Sequence, residues 1–471
     1  MTLSFALASA ACFEPSYEQA QCGPGGECPD GYSCSEGVCV EGEVGASIRS
    51  FVATTSVVAT GQRTTLVADF IGSSAKIEPG GHTVMPGEAL EIAPDATTTY
   101  TLTVQAAGVP ATATATATVS VFGAVFSVAT AEPTGMGSLA SAVASASVLQ
   151  DSAAIVFKLP AMSSIELAQT LSVSGNVTIL GPGADQLTIS GSGRRRLFFV
   201  AGDLTVRGVT LANGLGVGGK GGVGIATGGG GGGAGMGGGM FINSGNVVLQ
   251  NVVMSGHIAR GGAGGNSVGS GLANGGGGGG FGGDGIDGSS TMAASGGVGA
   301  NGGELGGAGA AAGATATGDG AGGGGAGAGV GQNGGGGAFG GGGGGSGGFP
   351  GGGAGGFGAG GGGGSSSVGG MFGGVGLGGG GGGGGAGLGG AIFLRAGSLT
   401  ISSSELRNCA AEPGAPGTRG APTRGQAKGG AIFAMVDAVQ LNDVTYSNNA
   451  AMDAATEATD NPDFFQLPTL R

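Results

Sequence analysis

Apolar residues in this chain fall into short runs at alternating positions, each run bounded by glycine or polar turns. The clearest series is Gly429-Gly430-Ala431-Ile432-Phe433, then Val439-x-Leu441 and Val444-x-Tyr446. It recurs as Gly389-Gly390-Ala391-Ile392-Phe393 with Leu399-x-Ile401 and Ser404-x-Leu406. Another copy is Gly238-Gly239-Met240-Phe241-Ile242 with Val247-x-Leu249 and Val252-x-Met254, and a partial one is Leu204-x-Val206 with Val209-x-Leu211. Period-two alternation predicts strands, three to a copy. A copy of about 22 residues is too short to bury its own apolar face, whereas stacked copies bury one another.

The series extends upstream through Ile155-Val-Phe157, Ile165-x-Leu167, Val177-x-Ile179 and Leu187-x-Ile189. With three strands per turn, this gives about six coils. Residues 137–149 are spaced as a helix, with Ser138 as its N-cap. Asn213, Asn408 and Asn448 each stand two residues beyond the last apolar position of a strand. Asparagine tolerates the left-handed conformation that a tight corner needs, so a structural role is expected for all three.

Residues 46–122 carry a second set of runs, at 48–51, 64–70, 89–92, 98–104 and 111–121, rich in threonine and valine. Turn signals such as Pro79-Gly80-Gly81 and Pro86-Gly87 separate them, and the pattern predicts a β-sandwich.

Glycine changes the picture of the longer region. The chain has 122 glycines in 471 residues, and 71 of the 128 residues from Gly261 to Leu388 are glycine. Glycine-rich insertions at 212–237, 255–388 and 407–428 leave the repeat at one equivalent corner. Such segments have too little apolar surface to form an ordinary core. Two forms remain, a flexible brush or polyglycine II-like strands packed against the stacked coils. Alternation places Phe241, Ile392 and Ile432 outward, and apolar outward residues favour a cover.

The formal net charge is −13, and residues 261–388 have no lysine or arginine, which argues against nucleic acid or an anionic surface as a partner. Arg194-Arg195-Arg196, the one basic cluster, reads as a solvated turn. No apolar run is long enough to span a bilayer.

Residues 1–11 are short, apolar and rich in small residues, and read as a signal-peptide remnant. Ala8-Ser9-Ala10 fits a cleavage site, and Ser9-Ala10-Ala11-Cys12 resembles a bacterial lipobox, which implies lipidation of Cys12. Residues 12–45 form a cysteine-rich module. Cys22, Cys28, Cys34 and Cys39 make two disulfides, with three connectivities open, and imply an oxidising compartment. Spacings of five and four residues argue against zinc, and Cys409 is left as a buried structural thiol.

Five resemblances follow from these motifs. The cysteine segment 22–39 is similar to small modules found just after the lipid anchor of bacterial exported proteins. The run Thr97-Thr98-Thr99-Tyr100-Thr101-Leu102-Thr103-Val104 resembles bacterial immunoglobulin-like repeats, which act as spacers, with Tyr100 as a tyrosine-corner residue. Residues 127–471 resemble the pectin-lyase-like right-handed parallel β-helix, in which a helix caps the first coil. The Gly-Gly-Ala-Ile-Phe copies look like repeats of polymorphic outer-membrane proteins, and the nearest compositional analogue of the insertions is a PGRS-type glycine-rich surface protein.

Candidate chemistry is sparse. Residues 279–287, ending Asp284-Gly285-Ile286-Asp287, fit one calcium nonapeptide, but no neighbouring copy follows. Gly214-x₄-Gly219-Lys220 lacks the Ser or Thr of a phosphate loop. Asp203, Glu405, Arg407, Asp437 and Asp443 are the charged candidates for polysaccharide cleavage, without evident pairing across coils, and Ser255-Gly256-His257 lacks partner acids. No catalytic residue, metal or cofactor is assigned. The expectation is an all-β, exported bacterial surface lipoprotein with a structural or adhesive role, held at the outer membrane by its lipid and meeting a surface polysaccharide or another cell surface. The alternative is a secreted β-helix that binds or cleaves carbohydrate.

Overall fold

The structure is a computed structural model that describes residues 21–23, 27–28, 32–35, 37–41, 46–106, 112–269, 274–289, 299–300, 302–326, 332–347, 351–377, 380–452 and 461–468. Residues 1–11 and Cys12 lie outside the described residues. The protein is nearly all β, with long parallel sheets, and divides into two compact units, Met1–Val125 and Phe126–Arg471.

In the first unit, strands Tyr32–Ser35 and Val38–Glu41 pair as an antiparallel hairpin. Disulfides Cys22–Cys34 and Cys28–Cys39 brace it, with Cα atoms 5.6 and 5.7 Å apart, so all four sulfurs are used in S–S bonds. Further on, strands Ser47–Ala53, Thr64–Ile71 and Ala89–Ile92 form one sheet. A second sheet runs in the order Val57–Ala59, Thr112–Phe122, Thr98–Gln105, Ser74–Glu78, His82–Thr83. Strict alternation along Thr64–Ile71 and Thr98–Gln105 puts Leu66, Ala68, Phe70, Tyr100, Leu102 and Val104 into one core shared by both sheets. Burial raises the Tyr100 hydroxyl pKa. Strands Val57–Ala59, Ser74–Glu78 and His82–Thr83 went unread in the sequence because two are too short to show a period.

The second unit opens with helix Leu139–Ser147. Its Ser138 cap accepts the Ser141 N–H at 3.3 Å, and its buried face is Leu139, Ala142, Val143 and Ala146. That face closes one end of a common apolar core. Three parallel ladders of six strands each then form around the core. The first holds Ala153–Phe157, Asn176–Leu180, Asp203–Arg207, Asn246–Gln250, 398–402 and 439–442. The second holds Ser163–Glu166, Leu187–Ser190, Thr210–Ala212, Val253–Ser255, 404–407 and 444–447. The third holds Leu171–Val173, Phe198–Val200, Met240–Ile242, Ile392–Leu394, Ile432–Ala434 and Phe464–Gln466. The chain visits the ladders in turn, so each residue lies over its counterpart one repeat earlier. Six rungs at a spacing of ~4.8 Å give a stack of roughly 25 Å.

Corners repeat with the rungs. Asn213, Gly256, Asn408 and Asn448 share one register position and all have positive φ, from 51° to 68°. Gly208, Asn251, Ser403 and Asp443 do the same at the corner between the first two ladders, at 45° to 61°. These are left-handed positions that glycine, asparagine and aspartate tolerate best.

The third ladder corrects the sequence reading. Met240 pairs with Ile392 and Ile392 with Ile432, while Phe241, Phe393 and Phe433 form the next row. Ile392 and Ile432 therefore point into the core, and the outward row is Phe199, Phe241, Phe393, Phe433 and Phe465. Counting from paired glycines shifted one copy by a residue. The glycine that sets the register is the positive-φ one, Gly237, Gly389 or Gly429.

Candidate functional site

The outward phenylalanine row is where the insertions go. They leave the coils through a ladder of Leu215–Val217, Ile258–Arg260, Ala410–Glu412 and Ala450–Ala451, and three of them return through Gly235–Met236, Gly387–Leu388 and Ala427–Lys428. Between, the described glycine segments are packed as extended strands, not left as a brush.

Their hydrogen bonds repeat every three residues. Along 228–235, the N–H groups of Gly228, Gly231 and Ala234 donate to Ser346, Gly343 and Gly340 at 3.2, 2.7 and 2.9 Å. Those of Gly229, Gly232 and Gly235 donate to Gly380, Gly383 and Ala386 at 3.1, 2.9 and 2.9 Å. Those of Gly230 and Gly233 reach Gly222 and Gly219 at 2.9 and 2.8 Å. A β-strand offers donors on two sides, whereas a three-residue helical turn offers them on three. The strands thus bond as a polyglycine II lattice.

Glycine is required because the neighbours are backbone. An added Cβ at Gly231 or Gly337 would overlap the carbonyl oxygen of Gly360 or Gly341. At Gly336, in the same strand, a Cβ would meet Thr315 Cγ2 at 3.5 Å, an ordinary contact. Gly336→Ala should therefore leave stability within about 0.5 kcal/mol, and Gly337→Ala should cost about 1–3 kcal/mol. Equal urea midpoints for the two variants would sink this account of the lattice.

At its margin, strand 218–224 turns Lys220 and Val223 away from the lattice, and side chains complete the pattern. The Asp284 and Asp287 carboxylates accept the Lys220 and Val223 N–H groups at 2.8 and 2.7 Å. The acids of the calcium-like nonapeptide are thus spaced by three residues to match the strand they cap.

Four phenylalanines from the insertion seal the lattice to the coils. Along the row, Phe199–Phe241, Phe241–Phe393, Phe393–Phe433 and Phe433–Phe465 stack at 5.6, 5.1, 5.2 and 5.2 Å between ring centroids. Phe281 meets Phe241 edge-on at 5.0 Å, Phe372 meets Phe433 and Phe465 at 5.7 Å, and Phe339 and Phe357 meet Phe393 at 6.4 and 6.3 Å. Edge-to-face pairs add about 0.5–1.5 kcal/mol each to the burial of their area.

Two arginines clamp this seam. Arg196, only 4% exposed, donates to the Gly237 and Met236 carbonyls at 2.8 Å and to Glu304 at 2.9 Å, and its guanidinium lies 4.6 Å from the Phe281 centroid. It is not part of a solvated turn, although Arg194 and Arg195 are exposed. Burial opposes ionisation of Glu304, but the Arg196 charge, with hydrogen bonds including one from Thr170, holds its carboxyl below the usual range. Arg395 lies 4.2 Å from the Phe339 centroid and pairs with Asp319 at 2.7 Å and Asn243 at 2.9 Å.

Where the coils turn towards the insertions, polar side chains stack inside. His257 Nδ1 accepts the Gly214 N–H at 2.9 Å, and Asn449 Oδ1 accepts the Cys409 N–H at 2.9 Å. Cys409 is buried and free, its thiol pushed up to about 12 by burial. Burial pulls His257 down to about 4, with the Leu211 carbonyl opposing. The unfolded chain therefore takes up this proton first. The neutral-His contribution is full above about pH 6.5 and falls by about 1.4 kcal/mol per pH unit down to about pH 4. His257→Asn should flatten the slope of urea stability between pH 7 and 5, and an unchanged slope would refute the assignment.

The charged candidates are scattered, with one exception. Asp203 accepts the Asn246 backbone and side-chain N–H groups at 2.8 and 3.0 Å, and Asp437 accepts from Gln466. Glu405 accepts from Arg407 at 3.0 Å, a pair within one rung. Yet Glu405 and Asp443, on successive rungs, line one cleft of about 590 Å³ together with Arg207. No ion pair joins the three across adjacent coils among the described residues; Glu405 is held instead by Arg407 on its own rung. Sequence reading did not single out Arg207, which stands on the third rung, in register with Gln250, Ser402 and Asn442.

These features define a class: a strand-rich protein whose parallel ladders carry a second layer of glycine strands. A scan against protein-family models and searches of curated proteins and of solved structures returned no match.

Proposed function

We propose that Phe126–Arg471 is a right-handed parallel β-helix of the pectin-lyase-like type, and that residues 46–122 are a bacterial immunoglobulin-like spacer. The chain is an exported surface protein, lipid-anchored at Cys12, with a structural or adhesive role towards a surface polysaccharide or another cell. The observation that carries this reading is the glycine lattice. Its longest insertion forms a hydrogen-bonded slab sealed by phenylalanines, which suits presentation of a surface. The disulfides Cys22–Cys34 and Cys28–Cys39 support passage through an oxidising compartment. No helix among the described residues is long and apolar enough to cross a membrane.

The test is radioactive fatty-acid labelling of cells expressing the chain, combined with antibody staining of intact cells. Label that disappears in Cys12→Ala, with staining of intact cells, is expected. Unlabelled protein in the medium would overturn the anchor and the surface role.

The cleft lined by Glu405, Asp443 and Arg207 favours a second reading, cleavage of a carbohydrate by the two carboxylates that line it. Release of reducing ends from a polysaccharide panel, lost in Glu405→Gln and Asp443→Asn, would establish it.

A further inference from the structure

The turn at 191–196 gathers more charge than the lattice uses. Ser192 and Gly193 fold it tightly, with φ of 54° and 65°, and the Arg194 and Arg195 N–H groups donate to the Gly191 carbonyl at 3.0 and 3.2 Å. The Arg195 carbonyl accepts from Leu215 at 2.8 Å. Arg196 points inward and fixes the turn to Gly237, Met236 and Glu304. Arg194 and Arg195 point the other way, exposed, with no side-chain ion pair or hydrogen bond among the described residues.

All three arginines line one cleft of about 310 Å³, with Thr170, Leu215, Val217 and Glu304 among its walls. Glu304 is its one carboxylate, and both oxygens are engaged, Oε2 by Arg196 at 2.9 Å and Oε1 by the Thr170 hydroxyl at 3.0 Å. Two cationic charges are therefore left uncompensated in a recess, on a hydrogen-bonded turn, in a chain whose net charge is −13.

We infer that this cleft binds the anionic group of an acidic saccharide. Guanidinium forks match carboxylate and sulfate oxygens two at a time. The cleft is at the lower end of the range for small-ligand sites, about 300–1,000 Å³. Half-buried Leu215 and exposed Val217 give a sugar ring an apolar wall. A recess of this size admits one anionic unit at a time, whereas a planar membrane surface cannot enter it. The inference rests on the adhesive reading for its biological use.

The experiment titrates the full-length chain with fluorescein-labelled dextran sulfate at low salt, against neutral dextran and phosphatidylserine vesicles. Saturable binding to dextran sulfate alone is expected, weakened roughly tenfold or more in the Arg194→Ala/Arg195→Ala double variant and by added salt. Because both side chains are exposed, the variant should keep the wild-type melting temperature. Undiminished binding by the variant, or binding to the vesicles in place of dextran sulfate, overturns the site. A chain stained on intact cells that does not bind dextran sulfate overturns the site and leaves the adhesive reading standing. Binding without surface staining upholds the site and counts against that reading.

Discussion

Phe393→Ala should destabilise the Phe126–Arg471 unit by about 3–5 kcal/mol, the range for removing a fully buried aromatic ring. Phe393 is 0% exposed, stacks on Phe241 and Phe433, and makes edge-to-face pairs with Phe339 and Phe357. Its loss breaks the aromatic row in the middle and removes the floor on which two glycine turns sit. The glycine strands have few other apolar anchors, so their amides should lose exchange protection before those of the ladders. Phe393→Leu should fall between alanine and wild type, since it restores apolar area but no ring edges. Hydrogen exchange at 320–326 and 332–345 decides the matter. Wild-type protection there in the alanine variant would mean that the lattice holds itself without the aromatic row.

Arg196→Ala should cost a comparable 3–5 kcal/mol, because it strands a charge and two acceptors. Glu304 would lose its ion-pair partner, and the Met236 and Gly237 carbonyls their donors. The effect should depend on pH. In the wild type the Glu304 carboxyl sits below its ordinary value, so its contribution is full above that value and is lost as pH falls through the depressed one. The gap between wild type and variant should therefore narrow in acid, measured by urea denaturation at pH 7 and pH 3.5. A gap that stays constant would assign the loss to packing on Phe281 and Phe241 instead.

Much of the ladder architecture was legible because each inward position is a branched or long apolar residue, as at Val177-x-Ile179 and Leu204-x-Val206. The corners were legible at Asn213, Asn408 and Asn448 for the same kind of reason, a residue type with a conformational preference. The lattice was not. A glycine run carries no side chain to report which carbonyl faces it, so nothing in 228–233 says that its partners include 343–346 and 380–383. The signal that could have been read is Phe281, Phe339, Phe357 and Phe372, large apolar residues isolated among glycines. Arg196 was unreadable beside Arg194 and Arg195, because adjacent residues of one type on a turn face opposite ways.

The three-residue bonding period also bears on how such a segment varies in length. Adding or deleting one triplet in a glycine strand returns every later donor to the same direction, and only the turn shifts. Adding or deleting one or two residues rotates all later donors onto the wrong neighbours, and every carbonyl they faced loses its partner. Homologous chains should therefore differ in these strands by multiples of three, with other lengths confined to the turns that carry the phenylalanines.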